Sequence, residues 1–323
     1  MSRNPVVLIT ALGCVAAMFA QPAFAANVKV TPLGGIDGEF CPLDRALVFE
    51  DPNGTRILYD PGFTVAGPND PRLGKIDIVL VTHMHADHVG KGHTSAPNAG
   101  SCDNPDTSVS AMPNSNAVNI ALAKKAKIVT GSEMHIFFAA KLKANGGAPT
   151  DSIPARFGGS ATVGGVRIAT VSALHPNGLD PDYIGGDLGK AMKDAGIASY
   201  VGEATGYVLK FSNGLVAYLS GDTGITSEQE KVVRGHYNAK LAVMNIGDVL
   251  STGPTEAAYV INDLVKPNSV IASHANEVGT VGGKVRPGSK TEAFMKAVKV
   301  PVHIPRSGKT MEFDGDGKCA AGC

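Results

Sequence analysis

The chain of 323 residues contains no tryptophan, and only 6% of its residues are aromatic. Its 29 basic residues balance 29 acidic ones, so the formal net charge is zero. With few rings to stack on bases or sugars and no excess of positive charge, the composition gives no support for binding nucleic acid or an anionic membrane. Glycine is frequent by contrast, with 39 residues, which fits a loop-rich α/β protein.

The N-terminal segment lacks an apolar run long enough to span a bilayer. Its apolar stretch, Val6 to Ala20, is shorter than the roughly 20 residues that a spanning helix needs. Arg3 precedes the stretch, and Ala23-Phe24-Ala25 follows it as a small-x-small pattern. These features predict a signal peptide over residues 1–25, cleaved after Ala25, and a mature domain over residues 26–323. We therefore expect a periplasmic or secreted protein with no stable membrane insertion.

Cysteines are few, and one of the five, Cys14, lies inside the apolar stretch. A lipoprotein-type cleavage before Cys14 stays open as an alternative to cleavage after Ala25. The mature chain would keep an even number of cysteines, which favours disulfides in an exported protein. Three pairings are possible, and we favour Cys41–Cys102 with Cys319–Cys323, because the last two are close in sequence on a polar tail. No CxxC spacing supports a cysteine metal cluster, and free thiols suit an oxidising compartment less well.

The densest group of metal-binding residue types follows the apolar run 76–81. His83, His85, Asp87 and His88 stand within six residues of one another. Side chains alternate along an extended segment, so His83 and His85 point the same way, while Asp87 and His88 can turn toward a neighbouring point. Burying this many polar groups costs several kcal/mol unless something pairs them. The layout therefore indicates two metals side by side.

Three further histidine or aspartate residues stand at the ends of apolar runs. They are His175 after residues 166–174, Asp222 after 215–221 and His274 after 269–273. Ligands that end several strands of one sheet edge would converge on one site, as sites in open α/β sheets do. The alternative for each residue alone is a polar strand end, or for Asp222 a turn former within Ser-Gly-Asp-Thr-Gly.

Together these residues resemble the ligand pattern of the metallo-β-lactamase superfamily. The marks are the run of His-x-His-x-Asp-His at 83–88, then a single His, a single Asp and a final His in that order. The resemblance covers nearly all of the mature chain. Within the superfamily the chain is most similar to the L-ascorbate 6-phosphate lactonase-like branch of metal-dependent hydrolases, through residues 245–248, 253–258, 266–267 and 273–274.

The resemblance implies an α/β fold of the αββα four-layer sandwich type, with a dinuclear site at one edge. Strand and helix patterns that alternate in each half of the chain agree with two similar halves packed sheet to sheet. The resemblance also implies the ligand sets: His83, His85 and His175 for the first metal, Asp87, His88 and His274 for the second, and Asp222 as the bridge.

The resemblance extends to Asp60, which stands before Pro61-Gly62 like the strand-end aspartate behind the metals of this superfamily. It would support a metal-ligating histidine, and an ordinary turn cap is the alternative. Asp87 is the expected catalytic residue, because it can bind metal, accept a hydrogen bond from the attacking water and return a proton to the leaving group. His85 occupies a position where di-iron flavoprotein relatives have Glu, which favours hydrolysis.

Two divalent metals about 3.5–4 Å apart can activate a shared water, whose hydroxide would attack a carbonyl or phosphorus. The donor types suit zinc, and manganese or iron would fit the same ligands. We expect an exported hydrolase of an ester, lactone or amide bond in a small-molecule substrate. The alternatives are a β-lactamase or phosphodiesterase of the same fold, or a non-catalytic periplasmic metal- or ligand-binding protein.

Two long polar segments follow metal-ligand candidates, over residues 90–115 and 176–203. Long loops without structure of their own are often binding loops, so both are expected to rim the pocket. Asn177 and Tyr183 in the second segment are the expected substrate contacts. Helices are expected from Ser115 through Ala126 and near residues 188–194.

Overall fold

Strands that are buried at successive positions, such as residues 78–81 and 241–245, build two sheets that pack face to face. The computed structural model describes Met1, residues 26–131 and residues 133–323. The predicted signal peptide, its cleavage site after Ala25 and the alternative site at Cys14 fall outside the described residues. Within the described part of the chain, none of the helices combines the length and the apolar character that crossing a membrane requires.

The elements have the following bounds. The strands are, in chain order, β1 (Val28–Pro32), β2 (Leu47–Glu50), β3 (Arg56–Tyr59), β4 (Ile78–Val81), β5 (Gly92–His93), β6 (Val109–Ser110), β7 (Lys127–Thr130), β8 (Ser152–Pro154), β9 (Ser160–Val163), β10 (Val166–Ser172), β11 (Gly178–Leu179), β12 (Ser199–Tyr200), β13 (Thr205–Lys210), β14 (Val216–Leu219), β15 (Leu241–Asn245), β16 (Ser269–Ser273), β17 (Thr280–Val281), β18 (Lys284–Val285), β19 (Val302–His303), β20 (Met311–Phe313) and β21 (Cys319–Ala321). The α-helices are α1 (Ala86–Val89), α2 (Asn116–Lys124), α3 (Met134–Ala144), α4 (Gly186–Asp194), α5 (Pro254–Tyr259) and α6 (Lys290–Ala297). Short 3₁₀ turns cover Pro149–Asp151 and Pro181–Tyr183, and π-helical turns cover Gln229–Arg234 and Val260–Val265.

The first sheet has eight strands in the order β21-β20-β1-β2-β3-β4-β7-β8, and the second has seven in the order β19-β16-β15-β14-β13-β10-β9. In the first sheet β3, β4, β7 and β8 run parallel. In the second, β14, β15, β16 and β19 do so. Parallel neighbours end at the same edge of a sheet, so each sheet presents a set of carboxyl strand ends at one edge.

The core fills the space between the sheets and both outer faces. In β4, Ile78 and Leu80 pack between the sheets, whereas Val79 and Val81 face the cluster that covers the first sheet. Helices α2 and α3 close that outer face, and α5 and α6 close the outer face of the second sheet. This is the αββα sandwich that the sequence predicts, since a helix stripe and a sheet face bury each other's apolar area.

The predicted helices are confirmed close to their expected bounds. The Ser115 hydroxyl accepts a hydrogen bond from the Val118 amide at 3.2 Å, which caps α2 as the sequence predicts. Lys125 ends that helix in the left-handed region, at a φ of 54°. The helix expected near residues 188–194 is α4, which begins slightly earlier, at Gly186.

Both predicted disulfides are present. Cys41 pairs with Cys102 across 61 positions, and Cys319 pairs with Cys323 across four. Cys41 is buried, so the first bridge fixes the loop after β1 to the segment that follows the metal-binding motif. The second bridge lies within the exposed C-terminal tail.

The long bridge should stabilise the fold more than the short one. Replacing Cys41 and Cys102 together by serine should lower the free energy of unfolding by about 2–4 kcal/mol, because a longer closed loop removes more entropy from the unfolded chain. The matched control replaces Cys319 and Cys323 by serine, and its loss should be smaller. Urea unfolding of both double variants measures the difference, and a larger loss in the tail variant would contradict the assignment.

Candidate metal centre

The candidate metal ligands lie at the carboxyl ends of four strands. His83 follows β4 in the first sheet, and His175, Asp222 and His274 follow β10, β14 and β16 in the second. The expectation that these ligands end strands of one sheet edge is therefore wrong in one respect. They come from both sheets, which meet at the same end of the sandwich because the sheets pack face to face.

The backbone around the motif explains how its side chains turn. His85 is extended, with φ −65° and ψ 147°, and α1 begins at the next residue, so Asp87 and His88 swing onto one helical turn. Gly62 makes this turn possible. Its φ is +52°, and a Cβ there would lie 2.4 Å from the Asp87 carbonyl oxygen. At the opposite side of the site, His274 adopts a φ of 52°, a left-handed conformation rare for non-glycine residues and concentrated at functional sites.

The structure brings all seven candidate ligands together. They form three overlapping groups, in each of which the donor atoms lie within 4.8 Å of one another. The groups are His83, His85 and His175; Asp87, His88 and His274; and His83, His88 and Asp222. The first two groups coincide with the two ligand sets that the resemblance implies, and the third joins them.

Asp222 occupies the position between the two sets. Its Oδ2 lies 3.7 Å from His175 Nε2 of the first set and 3.2 Å from His274 Nε2 of the second. Its Oδ1 lies 3.5 Å from His88 Nε2. One carboxylate thus faces both sets, as a bridging ligand would. In the first set, His175 Nε2 and His85 Nδ1 are 3.1 Å apart.

Several buried atoms of this cluster have no hydrogen-bond partner. They are Nε2 of His83 and of His88, Oδ1 of Asp222, and both ring nitrogens of His274. A buried polar atom without a partner costs free energy, and such atoms are rare in folded proteins. A divalent cation would satisfy these nitrogen and carboxylate donors, which are the types that zinc binds. The residues present therefore fit a metal.

The electrostatics of the cluster also favour a cation. Burial by itself would lower the pKa of His88, but the carboxylates of Asp222, Asp87 and Asp60 raise it to about 10. Burial would raise the pKa of Asp222, whereas His88 and His274 hold it well below its ordinary value. Carboxylates gathered in a buried place attract positive charge, which a protonated imidazole or a metal ion can supply.

The histidines of the first set are held neutral. Burial lowers the pKa of His83 well below its ordinary value and lowers that of His175 to about 4. Burial lowers the pKa of His85 in the same direction. A neutral imidazole keeps the lone pair that a metal needs, so these rings are in the ligand form at neutral pH.

Asp60 supports the motif from behind. It is fully buried, and its Oδ2 lies 2.8 Å from His88 Nδ1. The Thr82 amide donates to Oδ1 at 2.9 Å, and the Thr82 hydroxyl donates to Oδ2 at 2.7 Å. This geometry agrees with the expected support of a metal-ligating histidine, because it fixes the ring so that Nε2 faces the cluster.

Replacing Asp60 by asparagine should lower metal affinity or turnover about 10- to 100-fold, the usual effect of losing such an outer partner. The matched control is Asp51→Asn. Asp51 is also buried, but it follows β2, which runs antiparallel to β3, so it lies at the other end of the sheet. Metal titration and turnover of both folded variants give the comparison. Equal effects of the two changes would reduce Asp60 to a turn cap.

Arg45 is a site residue that the sequence analysis missed. Its guanidinium is buried, and Nε and Nη2 both lie 2.8 Å from Asp87 Oδ2. Nη2 also donates to Asn276 Oδ1 and Nη1 to the Pro42 carbonyl, each at 2.8 Å. The one sequence signal for Arg45 was its position at the start of an apolar run, because a charged residue is unusual in a buried strand.

The expected substrate contacts are placed differently by the structure. Asn177 is buried, its Oδ1 accepts from the Met84 amide at 2.8 Å, and its Nδ2 donates to the Gly202 carbonyl at 2.9 Å. Its side chain fixes the loop that carries His83 and His85, because its polar atoms are hydrogen-bonded to the backbone. Tyr183 is 1% exposed and packs in the core with its ring 5.8 Å from that of Phe137. A side chain enclosed in this way does not reach a substrate, so both expectations are corrected.

A cavity of about 590 Å³ opens over the candidate metal ligands. Its walls include His85, Asp87, His175, Asp222 and His274. The segment 176–203 reaches it through Pro176, and the loop after β15 supplies residues 247–250. The segment 90–115 contributes none of the lining residues, so the expectation that it rims the pocket is wrong. Within this segment β5 pairs with β6, and Cys102 is bonded to Cys41.

A second group of metal-binding residue types lies at the far edges of the sheets. His303, Cys319 and Cys323 approach one another there. The two sulfur atoms are bonded to each other, so they are not free thiolate ligands. The cluster at the strand ends is therefore the stronger candidate.

Comparison with known proteins shows the family to which the chain is related. A family model described as the beta-lactamase superfamily domain matches residues 55–275. A UPF0173 metal-dependent hydrolase of Koribacter versatilis is 28% identical over 263 residues, covering 80% of this chain and 91% of that protein. A UPF0173 metal-dependent hydrolase of Polynucleobacter asymbioticus is 28% identical over 274 residues, covering 81% of each.

Solved structures share the fold. Igni18, a metallo hydrolase from Ignicoccus hospitalis, aligns with a TM-score of 0.57 at 22% identity, over 89% of this chain and 99% of that one. The metallo-beta-lactamase fold protein YhfI from Bacillus subtilis aligns with a TM-score of 0.55 at 14% identity, over 88% and 99%. At these identities the likeness establishes the fold. The lactonase-like branch within the superfamily stays a prediction.

Proposed function

Because the chain belongs to the beta-lactamase superfamily and is a metal-dependent hydrolase, we propose that it is an exported enzyme with two divalent metal ions. The proposed reaction is hydrolysis of an ester, lactone or amide bond. Asp87 is the proposed catalytic residue, and the ligands are those of the two sets joined by Asp222. The substrate is a small molecule that enters the cavity above the cluster.

One observation carries the proposal. Three overlapping groups of donors meet at the strand ends, and five of their buried atoms lack a hydrogen-bond partner. If the cluster had only a structural role, nothing would offset the free-energy cost of burying these polar atoms without hydrogen-bond partners. Donors arranged in two sets with a carboxylate between them suit a pair of ions, and neutral imidazoles with carboxylates suit zinc, with manganese or iron as alternatives.

A pair of divalent ions held by these residues would lower the pKa of a water molecule toward neutrality and polarise the bond to be broken. The protein's own part is orientation. Arg45 holds Asp87 Oδ2 at the cavity wall, 3.4 Å from His274 Nε2. Burial would raise the pKa of Asp87, but His88, His274 and Arg45 hold it well below its ordinary value, so the carboxylate stays ionised. It can therefore accept a hydrogen bond from an attacking water and orient it.

Export is proposed from two features of the chain. Residues 1–25 have the pattern of a signal peptide, and the mature part carries two disulfides, which persist in oxidising compartments. Intact-mass measurement of protein from the periplasm should give a chain that begins at Ala26 with no alkylatable thiol. An unprocessed N-terminus would contradict the proposal of export.

The function is tested by a substrate panel. Zinc-loaded protein should hydrolyse lactones or simple esters, and a chelator should abolish that turnover. β-Lactams and phosphodiesters belong in the same panel, because a β-lactamase or phosphodiesterase would use the same site. Bound metal with no turnover on any member would favour the remaining alternative, a non-catalytic periplasmic binding protein.

A further inference from the structure

A second cavity adjoins the cavity over the candidate metal ligands. Its volume is about 510 Å³, and it shares His85 and Pro176 with the cavity over the metal cluster. The shared residues include one candidate ligand, so a molecule reacting at the metals can extend into the second cavity past His85. The far wall is built by the segment 176–203, which the sequence marks as a long insertion after a ligand.

The walls of this second cavity are mainly apolar. Met84, Pro181, Ile197 and Ala198 line it, together with glycines of the insertion. Ile197 is 56% exposed, although it is a large aliphatic side chain that faces a cavity. Apolar surface left uncovered beside a cavity commonly marks a binding site, because covering it with an apolar group is favourable.

The charged groups of the second cavity are already paired. Lys193 Nζ lies 2.8 Å from Asp182 Oδ1, and Asp180 Oδ2 lies 2.7 Å from Lys91 Nζ. A phosphate or carboxylate on the ligand would have to displace one of these partners. The pairing therefore leaves apolar contact as the main interaction that the cavity can offer.

The loop after β15 places apolar side chains at the cavity over the candidate metal ligands as well, next to Asp248. Val249 is 91% exposed and Leu250 68% exposed, and both line the cavity over the metals. The entrance to the cluster is thus bordered by aliphatic groups on two sides. A polar sugar phosphate would gain little from these surfaces, whereas an alkyl chain would cover them.

We propose that the second cavity is the subsite for an apolar arm of the substrate, an alkyl or acyl chain of several carbons. This inference rests on the proposed hydrolytic function and names its substrate class: lactones or esters that carry an aliphatic chain. Each methylene that enters the subsite should raise kcat/KM about threefold, as expected for burial of an apolar group on the path to the transition state.

The test uses the zinc-loaded, full mature chain and two series of substrates. One series is phenyl esters from acetyl to hexanoyl, and the other is γ-lactones with a lengthening alkyl group on the ring carbon next to oxygen. Across four added methylenes, kcat/KM should rise roughly 80-fold in at least one series. Flat profiles in both series would overturn the inference.

Substitutions locate the effect. Ile197→Asp places a charge in the subsite and should bring the ratio of kcat/KM between long and short substrates to within about threefold of one. Ala198→Phe fills the subsite and should do the same by exclusion. The matched control is Leu188→Asp, since Leu188 is 65% exposed on the same insertion and does not line the cavity, and it should keep the chain-length gain. A gain that survives both subsite variants would overturn the assignment.

The two proposals fail in different ways. Turnover of the acetyl ester without a gain from longer chains would remove only the apolar subsite and leave metal-dependent hydrolysis in place. No turnover of any ester, lactone or amide by the metal-loaded protein would contradict the proposed function, and the inference that rests on it would fall as well.

Discussion

Replacing Asp222 by alanine should remove both metal ions and lower turnover by more than about 100-fold, since losing an outer partner of a ligand already costs 10–100-fold. The reason is the position of this carboxylate. Its Oδ2 lies 3.7 Å from His175 Nε2 of one set and 3.2 Å from His274 Nε2 of the other, so its loss affects both ligand sets. Without the negative charge between them, the two cations would also repel each other more strongly. Metal analysis of the purified variant measures the loss.

A control separates this effect from a general loss of charge at the cavity. Asp248 also lines the cavity over the candidate metal ligands, but it belongs to none of the three donor groups there. Asp248→Asn, which suits the residue's positive φ of 62°, should keep the full metal content. An Asp222→Ala protein with two ions per chain and normal turnover would reduce Asp222 to a turn former.

Single histidine changes should remove one ion at a time. His88→Ala should empty the second set, leave about one ion per chain and lower turnover by at least 100-fold, because the pair of ions acts together on the bond. His83→Ala should have a comparable effect on turnover through the first set.

The control for the histidine variants is His236→Ala, because His236 is exposed and lies outside the donor groups. Metal content and turnover should both fall in His83→Ala and His88→Ala, and both should stay unchanged in His236→Ala. Full metal content in His88→Ala would contradict the second ligand set. Circular dichroism of each variant confirms that the comparison is between folded proteins.

The positions of the ligand candidates were predictable because each closes an apolar run. The composition of the runs 76–81, 215–221 and 269–273 predicts strands, and β4, β14 and β16 lie within them. A histidine or aspartate that follows such a strand lies near its carboxyl end. The Cys319–Cys323 pairing was favoured for a local reason as well, because the two residues stand four positions apart on a polar tail. Local patterns therefore located most of the site.

The side chains that hold the ligands in place were harder to predict. Arg45 lies 42 positions from Asp87, and no periodicity links the two. Asn177 and Tyr183 stand near His175 in sequence, but proximity along the chain does not fix the direction of a side chain in an irregular segment. One turns to the backbone of the histidine loop and the other into the core. That two sheets contribute the ligands also depends on long-range packing.

Metal content measured together with turnover, before and after chelation, tests the central claim most directly. The protein as isolated should contain about two divalent ions per chain. Dialysis against a chelator should remove both ions and the turnover of lactones or esters, and adding zinc should restore them together. Full turnover by protein shown to be free of metal would contradict the assignment of these histidines and aspartates as a catalytic metal centre.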